Sequence, residues 1–453
     1  MLYCEDKAIE TVDINNRIIK IINEYILSIK CNKLFEYSEK NKIRRVVIFL
    51  QEIKEIILQR AAQIHDEIVS HRRYFHQNPE THTDLPKTVA YVKEKLTEMG
   101  YDPIDCGTCG VVVNVGGKSP GKVFLIRGDM DALPLKEETD LEFKSNNDKM
   151  HACGHDMHTA MMLGAAKILK ENESKIQGTV KLMFQPAEET LAGAKLMIDN
   201  GLLENPKVDA GMMIHVITGM PFEAGKVVLP SAGIGSAASD WFEIHIQGKG
   251  GHGAMPEGTI DPINVACHIH TAIQAINSRE VGGNDNSVFT VGKIQSGTTS
   301  NIIPDTAQMY GTIRTFSPEM RKFIPKRMAE ISEYTAKAFR AEAKLKLIEG
   351  CPSIVNDASV LENVKSSLEE LLGSEMLVNI SDYMPTGRMS GSEDFGYVSE
   401  KIPSIMLIIA AGSPEEGYVY PQHHPKAAFD ERALINGTAS YVYAAMKWLE
   451  DNK

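Results

Sequence analysis

Alternating strand and helix patterns after residue 58 constrain the fold of this chain most strongly. Short β-rich runs such as GVVVNVGG and VFLIRGD alternate there with stretches of helical periodicity. Strands that are separated by helices of roughly 10–15 residues are typical of parallel βαβ units. The sequence therefore predicts an α/β protein built on a mostly parallel sheet with flanking helices.

This pattern changes between residues 238 and 350. The run DWFEIHIQ alternates like a half-exposed strand, and a helix, two strands and a second helix follow it. A β-α-β-β-α-β order indicates a small α+β sandwich. The α/β pattern resumes at residue 351. We therefore predict a larger domain in two parts, residues 58–237 and 351–453, with an inserted α+β domain at residues 238–350.

Residues 1–57 form a third predicted segment. Residues 1–55 contain no glycine and no proline, and Ile14, Ile18, Ile21, Ile22 and Tyr25 lie near one face of a helix. We predict a helical N-terminal extension. It either carries no chemistry of its own, or its apolar face packs on the main body, covers a partner or mediates assembly.

Charge and cysteine content argue against several functions. The 48 Lys and Arg residues against 60 Asp and Glu residues give a net charge of −12, which leaves no basic surplus for a nucleic-acid backbone. The longest apolar run, residues 405–411, is far shorter than the roughly 20 residues of a membrane-spanning helix. Seven scattered cysteines do not form a disulfide framework. We expect a cytoplasmic protein that binds neither nucleic acid nor membrane.

Side chains that can bind metals follow several predicted strands. In open parallel sheets, functional sites form beyond the carboxyl ends of the strands. The strand VFLIR precedes Asp129 and Asp131, TVKLMF precedes Glu188 and Glu189, GMMIHV carries His215, and SIMLIIAAG precedes His423 and His424. The run MHACGHDMH adds Cys153, His155, Asp156 and His158. Separate strands thus deliver metal-capable groups to one edge of the sheet.

The residue types at this edge indicate metal-dependent hydrolysis. Cys153 and His155 reach one ion only from an extended or turn backbone, which Gly154 permits. Thiolate, imidazole and carboxylate together suit zinc or manganese and fit magnesium or calcium poorly. In the Glu188–Glu189 pair, one carboxylate can bind metal while its neighbour takes a proton from water.

Other candidates lie in the inserted domain. His252 lies in the glycine-rich run GKGGHGA, which is either a ligand-approaching turn or a tight hairpin with an incidental histidine. Asn301 ends the polar run SGTTSN, which could hydrogen-bond a polar substrate. Arg314 could bind a carboxylate bidentately or form a surface ion pair. Cys106 and Cys109 form a CxxC, which is either a redox pair or two ordinary thiols.

Several sequence blocks occur in a specific order from about residue 64 to the C-terminus. They read HRRYFHQNPE, IRGDMDALPLKE, MHACGHDMHTAMMLGAA, FQPAEET, GKGGHGAMP, SGTTSNIIPD, SGSEDFGY and HHPKAAFDE. The sequence resembles the metal-dependent N-acyl-amino-acid amidohydrolases, in the branch with hippurate hydrolase, auxin-conjugate amidohydrolases and N-acetyldiaminopimelate deacetylase. The resemblance implies a metallo-aminopeptidase-like catalytic domain with an inserted α+β lid or dimerisation domain.

The resemblance also implies roles for individual residues. Two divalent ions, zinc or manganese with cobalt or nickel as alternatives, would be bound by Cys153, His155, Glu189, His215 and His423. His423 is preferred to His424 because the family pattern has a histidine two residues before a proline. Glu188 would be the general base, and His252 would polarise the scissile carbonyl. Asn301 and Arg314 would bind substrate. Asp129 would support a ligating imidazole, since Arg127 occupies the position of a usual histidine ligand.

The function implied by the resemblance is hydrolysis of the amide bond of N-acyl amino acids to a carboxylic acid and a free amino acid. Alternatives are a metallo-carboxypeptidase or dipeptidase, an N-acetyldiaminopimelate deacetylase, a protein with this fold but without its chemistry, and a thiol redox protein. The acyl group and the amino acid stay open. A strand edge of the inserted domain could pair with its own copy, which would give a homodimer.

Overall fold

The computed structural model describes residues 53–117, 121–283, 285–384 and 386–453. The predicted N-terminal extension, residues 1–57, therefore lies outside the described residues except at its end. Residues 57–453 form one compact unit that contains two principal sheets. Within the described ranges, no helix has the length and apolarity that a bilayer crossing requires.

The strands of both sheets are numbered in chain order. They are β1 Ile104–Asp105, β2 Val111–Gly116, β3 Val123–Asp129, β4 Thr179–Gln185, β5 Ala210–Ile217, β6 Val227–Leu229, β7 Gly233–Ile234 and β8 Ala238–Gln247. They continue with β9 Gly251–His252, β10 Ser287–Ser296, β11 Ile302–Ile303, β12 Thr306–Thr315, β13 Glu342–Cys351, β14 Val355–Asn356, β15 Leu377–Asn379 and β16 Ser404–Ala410.

The α-helices are numbered in the same way. They are α1 His65–Gln77, α2 Pro86–Glu98, α3 His155–Glu171, α4 Gly193–Asp199, α5 Pro262–Ile273, α6 Pro318–Ala338, α7 Ala358–Leu372, α8 Gly396–Ser399 and α9 Ala433–Asp451.

The larger sheet has ten strands and is mostly parallel, as predicted. Its main order is β1-β2-β4-β3-β5-β16-β14-β7, and β4, β3, β5 and β16 run in one direction. The run GVVVNVGG is an exception, because β2 pairs antiparallel with β4 instead of forming a parallel βαβ unit. Only a short connection separates β2 from β3, so the chain reverses direction between them, since two parallel strands need a crossover of roughly a dozen residues or more. Because β4 lies between these strands and is parallel to β3, it is antiparallel to β2.

Helix α3 delivers part of the candidate site. Most of its residues are buried on every side, because it packs against β3 and is covered by α1 and α9. Its central residues 160–166, AMMLGAA, are all apolar or glycine, as is typical of a helix in such a buried position. Sequence periodicity predicts a helix from His158 to Lys170, whereas α3 begins three residues earlier, at His155. This start places His155 at the carboxyl edge of the sheet.

The smaller sheet is four-stranded and antiparallel in the order β10-β12-β8-β13. Phe242, Ile244 and Ile246 of β8 are buried in a core with α5 and α6. Successive strand residues point to opposite faces, so Trp241 and Arg314 belong to the face without helices. The sheet runs from Ala238 to Cys351, and the predicted boundaries 238–350 of the inserted domain remain a prediction.

Candidate metal centre

The loop before α3 brings Cys153 and His155 to the same place. Gly154 lies between them at the helix N-cap, in the left-handed conformation with φ 92°. A Cβ atom at this position would lie 2.3 Å from Cγ2 of Val216. Both the backbone conformation and the close approach to β5 therefore require glycine.

Five predicted ligand residues converge beyond the strand ends. Sγ of Cys153 lies 3.6 Å from Nε2 of His215. Oε1 of Glu189 lies 3.6 Å from Nε2 of His423 and 3.9 Å from Nε2 of His155. Ligand atoms of Cys153, His155 and His215, and those of Cys153, Glu189 and His423, form two groups within 4.8 Å.

Hydrogen bonds leave two imidazole nitrogens available to a metal ion. Nδ1 of His155 donates to the carbonyl of Asp131 at 2.8 Å, and Nδ1 of His215 donates to the carbonyl of Val216 at 2.6 Å. In the neutral form of each ring, Nε2 therefore carries the lone pair. Nε2 of His155 and Oε1 of Glu189 are buried without a hydrogen-bond partner among the described residues. These orphaned acceptors, with a thiol close by, fit a divalent cation.

The buried carboxylate of Asp129 holds side chains next to the ligand cluster in place. Its carboxylate accepts hydrogen bonds from Nη1 of Arg127 at 2.7 Å and from Nδ1 of His158 at 2.5 Å. Burial opposes its ionisation, but Arg127 and the imidazoles of His155 and His158 hold the pKa of Asp129 well below its usual range. Asp129 is therefore an ionised acceptor that fixes neighbouring side chains.

The Glu188–Glu189 pair is oriented by Asp131. The Asp131 side chain accepts the backbone N–H groups of Glu188 at 3.0 Å and of Glu189 at 3.2 Å. Burial raises the pKa of Glu188 well above its usual range, and the charges of Glu393 and Asp394 add to this effect. Burial also raises the pKa of Glu189 to about 7. Both neighbouring carboxyl groups are thus harder to ionise than an exposed glutamate.

A cavity of about 380 Å³ opens over these groups. Its polar side includes Cys153, Glu188, Glu189, His215 and His423, and Trp241 and Arg314 reach it from the smaller sheet. Its apolar side is formed by Leu191, Ile217, Met389, Met406 and Ile408. Nη1 of Arg314 is buried without a hydrogen-bond partner among the described residues. An unpaired guanidinium therefore lines the same cavity as the candidate metal ligands.

His252 and Asn301 do not line this cavity in the single chain. His252 lies on β9, which pairs with β11, and its partner in the register is Ile302. The N–H of Gly253 donates to the carbonyl of Asn301 at 2.9 Å. Both His252 and Asn301 are exposed. Their predicted roles remain predictions.

Sequence reasoning missed several residues of this site. Nε2 of Gln422 donates to the carbonyls of Val216 at 3.0 Å and Cys153 at 3.3 Å, which ties the His423 loop to Cys153 and to the residue that follows His215. Glu393 accepts from the fully buried Arg127 at 2.7 Å and lines the cavity. Glu393 lies in SGSEDFGY, one of the blocks that carry the family resemblance, and this block could have indicated a functional residue. Nothing in the sequence showed its contact with Arg127.

The block HRRYFHQNPE also has a structural explanation. Nε of Arg72 donates to Oδ2 of Asp156 at 2.8 Å, and Nδ1 of His76 lies 2.9 Å from the same oxygen. Asp156 directly follows His155 in α3. This block therefore holds the first turn of α3 through a buried ion-pair network.

The CxxC thiols take ordinary positions. Sγ of Cys106 donates to the carbonyl of Met197 at 3.3 Å, and Sγ of Cys109 donates to the carbonyl of Thr83 at 3.0 Å. Both cysteines are free. Burial raises the pKa of Cys106, which makes its thiol less reactive.

Comparison with known proteins identifies the family. The sequence profile of Peptidase family M20/M25/M40 matches residues 125–447. The chain belongs to this family. It is 35% identical over 392 residues to an N-acetylcysteine deacetylase from Bacillus subtilis, covering 86% of this chain and 98% of that protein. It is 36% identical over 408 residues to an IAA-amino acid hydrolase from Arabidopsis thaliana, covering 88% of this chain and 89% of the relative.

A solved structure agrees with the fold. A dinuclear metal-binding peptidase of the M20 family from Bacillus subtilis superposes with a TM-score of 0.73 at 31% identity. The alignment covers 86% of this chain and 99% of that one. The predicted α/β fold class and the resemblance to amidohydrolases are thereby confirmed, as is the prediction of an enzyme that acts on amides.

Proposed function

We propose that this M20-family enzyme hydrolyses the amide bond of N-acyl amino acids with two divalent metal ions. One observation carries the proposal: Glu188 and four of the five metal-capable side chains, Cys153, Glu189, His215 and His423, line the same cavity as Arg314, whose Nη1 has no hydrogen-bond partner among the described residues. A hydrolytic group and a carboxylate anchor in one cavity match a substrate with an amide and a free carboxylate.

The metal-binding residues would be Cys153, His155, Glu189, His215 and His423. Two bound ions supply Lewis-acid stabilisation of the carbonyl oxygen and lower the pKa of water towards about 7. The thiol, imidazole and carboxylate donors favour zinc or manganese, with cobalt or nickel as alternatives. Asp129 keeps its supporting role, since its carboxylate is already bonded to Arg127 and His158.

Glu188 performs the proton transfers of the reaction. Its carboxylate takes a proton from the attacking water and gives it to the leaving nitrogen. A C–O bond forms as the C–N bond breaks, which releases a carboxylic acid and an amino acid. Oε2 of Glu188 lies 3.9 Å from Nε2 of His155, so the base is adjacent to the ligand cluster.

Arg314 binds the substrate carboxylate. A guanidinium matches a carboxylate with two parallel hydrogen bonds, and Nη1 of Arg314 is buried without a partner among the residues that the structure describes. Binding at this point orients the substrate with its amide towards Glu188.

The test is amino-acid release from N-acyl amino acids by the full chain, stripped of metal and reloaded with Zn²⁺, Mn²⁺ or Co²⁺. We expect release only with metal. No release with two equivalents of metal bound would contradict the proposal. Dipeptides form a second arm, because the similar solved structure is described as a peptidase and a peptide C-terminus also fits Arg314. Cleavage of dipeptides alone would assign a dipeptidase.

A homodimer through the inserted domain completes the proposal. Met255 and Ile302, close to His252, are 60% and 57% exposed, and exposed apolar groups of this kind mark association surfaces. A second copy covering this surface would bring other groups near His252 and Asn301. Sedimentation equilibrium tests this, with Ile302→Glu expected to give monomers.

Cytoplasmic action agrees with the free thiols at Cys106 and Cys109.

A further inference from the structure

We propose that this enzyme prefers long or bulky apolar acyl groups and that Met389 sets the size of its acyl pocket. The inference rests on the proposed hydrolysis of N-acyl amino acids and concerns which substrates are cleaved fastest. It is carried by the apolar side of the cavity and by a second void directly behind that side.

The cavity assigns opposite ends to the two halves of the substrate. Arg314 is the only Arg or Lys among the described lining residues, so the carboxylate end of the amino acid belongs at the smaller sheet. Glu188 and the metal-capable residues determine where the amide lies. The apolar lining residues, among them Met389, Met406 and Ile408, carry no charge and are left to contact the acyl group. An acetyl group would leave most of this apolar surface uncovered.

A void of about 20 Å³ lies behind the apolar side and shares three of its residues. Met389, Met406 and Ile408 line both the cavity and the void, together with Pro230, Ile354 and Ile380. Movement of a shared side chain would therefore join the two spaces and lengthen the acyl pocket.

Met389 is the shared side chain that is best able to move. Met406 and Ile408 belong to β16, which is paired with β5, and both are more than nine-tenths buried. Met389 is only half-buried. Its backbone is nevertheless held on both sides, because its N–H donates to Gly235 at 2.8 Å and its carbonyl accepts from Ala237 at 3.1 Å. The flexible thioether can rearrange while the backbone stays in place.

The test on the wild-type holoenzyme uses two substrate series. One varies the acyl group on a fixed amino acid, from acetyl through butyryl and hexanoyl to phenylacetyl. The other varies the amino acid on a fixed acyl group. We expect kcat/KM to rise about fourfold for each methylene added to the acyl chain until the pocket is full. We expect a weaker dependence on the amino-acid side chain.

Variants of Met389 test the assignment to this residue. Met389→Phe should lower the hexanoyl-to-acetyl ratio of kcat/KM, and Met389→Ala should move the preferred acyl chain to greater length. Met384→Leu is the matched control, because Met384 packs against the same core but does not line the cavity. It should leave the ratio unchanged.

Binding provides a readout that does not require turnover. Calorimetric titration of the metal-loaded Glu188→Gln protein should show tighter binding of hexanoyl than of acetyl substrates, by about fourfold per methylene. If acetyl substrates are cleaved fastest, or if preference follows the amino-acid side chain, the inference is overturned while the proposed function stands. Failure to cleave any member of either series contradicts the proposed function itself.

Discussion

The imidazole rings of His155 and His158 lie 5.2 Å apart on one face of α3, but they have different hydrogen bonds. His158 donates from Nδ1 to Asp129, and its Nε2 accepts the N–H of Val216 at 2.8 Å. Nε2 of His155 has no hydrogen-bond partner among the described residues. Both nitrogens of His158 are therefore engaged, so His155 is the ring that can bind a metal.

Glu188→Gln should separate metal binding from catalysis. We expect metal content to be retained and kcat to fall by about 10²–10⁴-fold, because the proton acceptor is lost while the ligands remain. Metal analysis and steady-state kinetics on the same preparation check this. Glu189→Gln is the contrasting variant and should lose metal. An unchanged kcat in Glu188→Gln would remove Glu188 from the role of base.

Arg314→Ala should weaken the binding of substrates that have a free carboxylate. We expect KM for an N-acyl amino acid to rise about 10–100-fold, since a hydrogen bond to a charged group contributes about 1.5–3 kcal/mol. KM for the corresponding carboxamide should change little. Arg314→Lys should recover only part of the loss, because an ammonium does not bind bidentately. Equal effects on both substrates would contradict the carboxylate anchor.

Arg127→Met should be strongly destabilising. Arg127 is fully buried and contacts Asp129, Glu393 and Asp394 at 2.7, 2.7 and 3.2 Å. Removing its charge leaves buried carboxylates unpaired, and we expect the free energy of unfolding to fall by about 3–5 kcal/mol. Arg73→Ala, which breaks a more exposed pair with Glu431, should cost about 1 kcal/mol or less. Urea denaturation distinguishes the two variants.

Gly154→Ala should damage both stability and metal binding. The new Cβ would meet Val216 in a left-handed backbone conformation, and we expect a loss of about 2–4 kcal/mol with reduced metal content. Gly201→Ala is the matched control, because Gly201 also has a positive φ of 86° but a Cβ added there would have no neighbouring atom within 4 Å. It should cost about 1–2 kcal/mol and leave metal content unchanged. Equal effects would show that backbone strain alone matters.

His71 and His76 should make the free energy of unfolding depend on pH in opposite directions. Burial lowers the pKa of His71, so the unfolded chain binds its proton more readily and stability falls as the pH drops below about 6.5. Burial also opposes protonation of His76, but Asp156 and Glu137 raise its pKa. Protonated His76 therefore stabilises the folded chain below pH ~6.5, and this stabilisation is lost as the pH rises through the raised pKa of His76.

Urea denaturation from pH 5 to 9 checks these signs. Relative to the wild type, His71→Gln should lose the stability change on the acid side, and His76→Gln should lose the change on the alkaline side. The difference between each variant and the wild type isolates one histidine. If both substitutions altered the pH dependence of the free energy of unfolding in the same direction, the opposite effects assigned to His71 and His76 would be contradicted.

The main elements of the fold were predictable because they depend on local patterns. Sequence periodicity predicts helices over 318–338 and 358–372 and a strand over the run SIMLIIA, and the structure has these elements at Pro318–Ala338, Ala358–Leu372 and Ser404–Ala410. The antiparallel pairing of β2 was not predictable, since strand direction depends on connection length and on neighbours that are distant in sequence.

The candidate site, too, was predictable from the sequence only in part. Residue types at the strand ends indicated a metal centre, and Cys153 does lie close to His215 in one group of possible ligands and close to Glu189 in another. The position of His252 was not evident, because its turn pairs with residues 301–305 and not with the strand ends.

The sequence by itself determined the order of strands and helices, the family and the set of residues able to bind metal, because these depend on periodicity and residue chemistry. Only the tertiary structure decided which histidine nitrogens are free, that Arg127 pairs with Glu393, and that Met389, Met406 and Ile408 line both the cavity and the neighbouring void. Such relationships join residues far apart in the chain, and no local pattern records the distance between them.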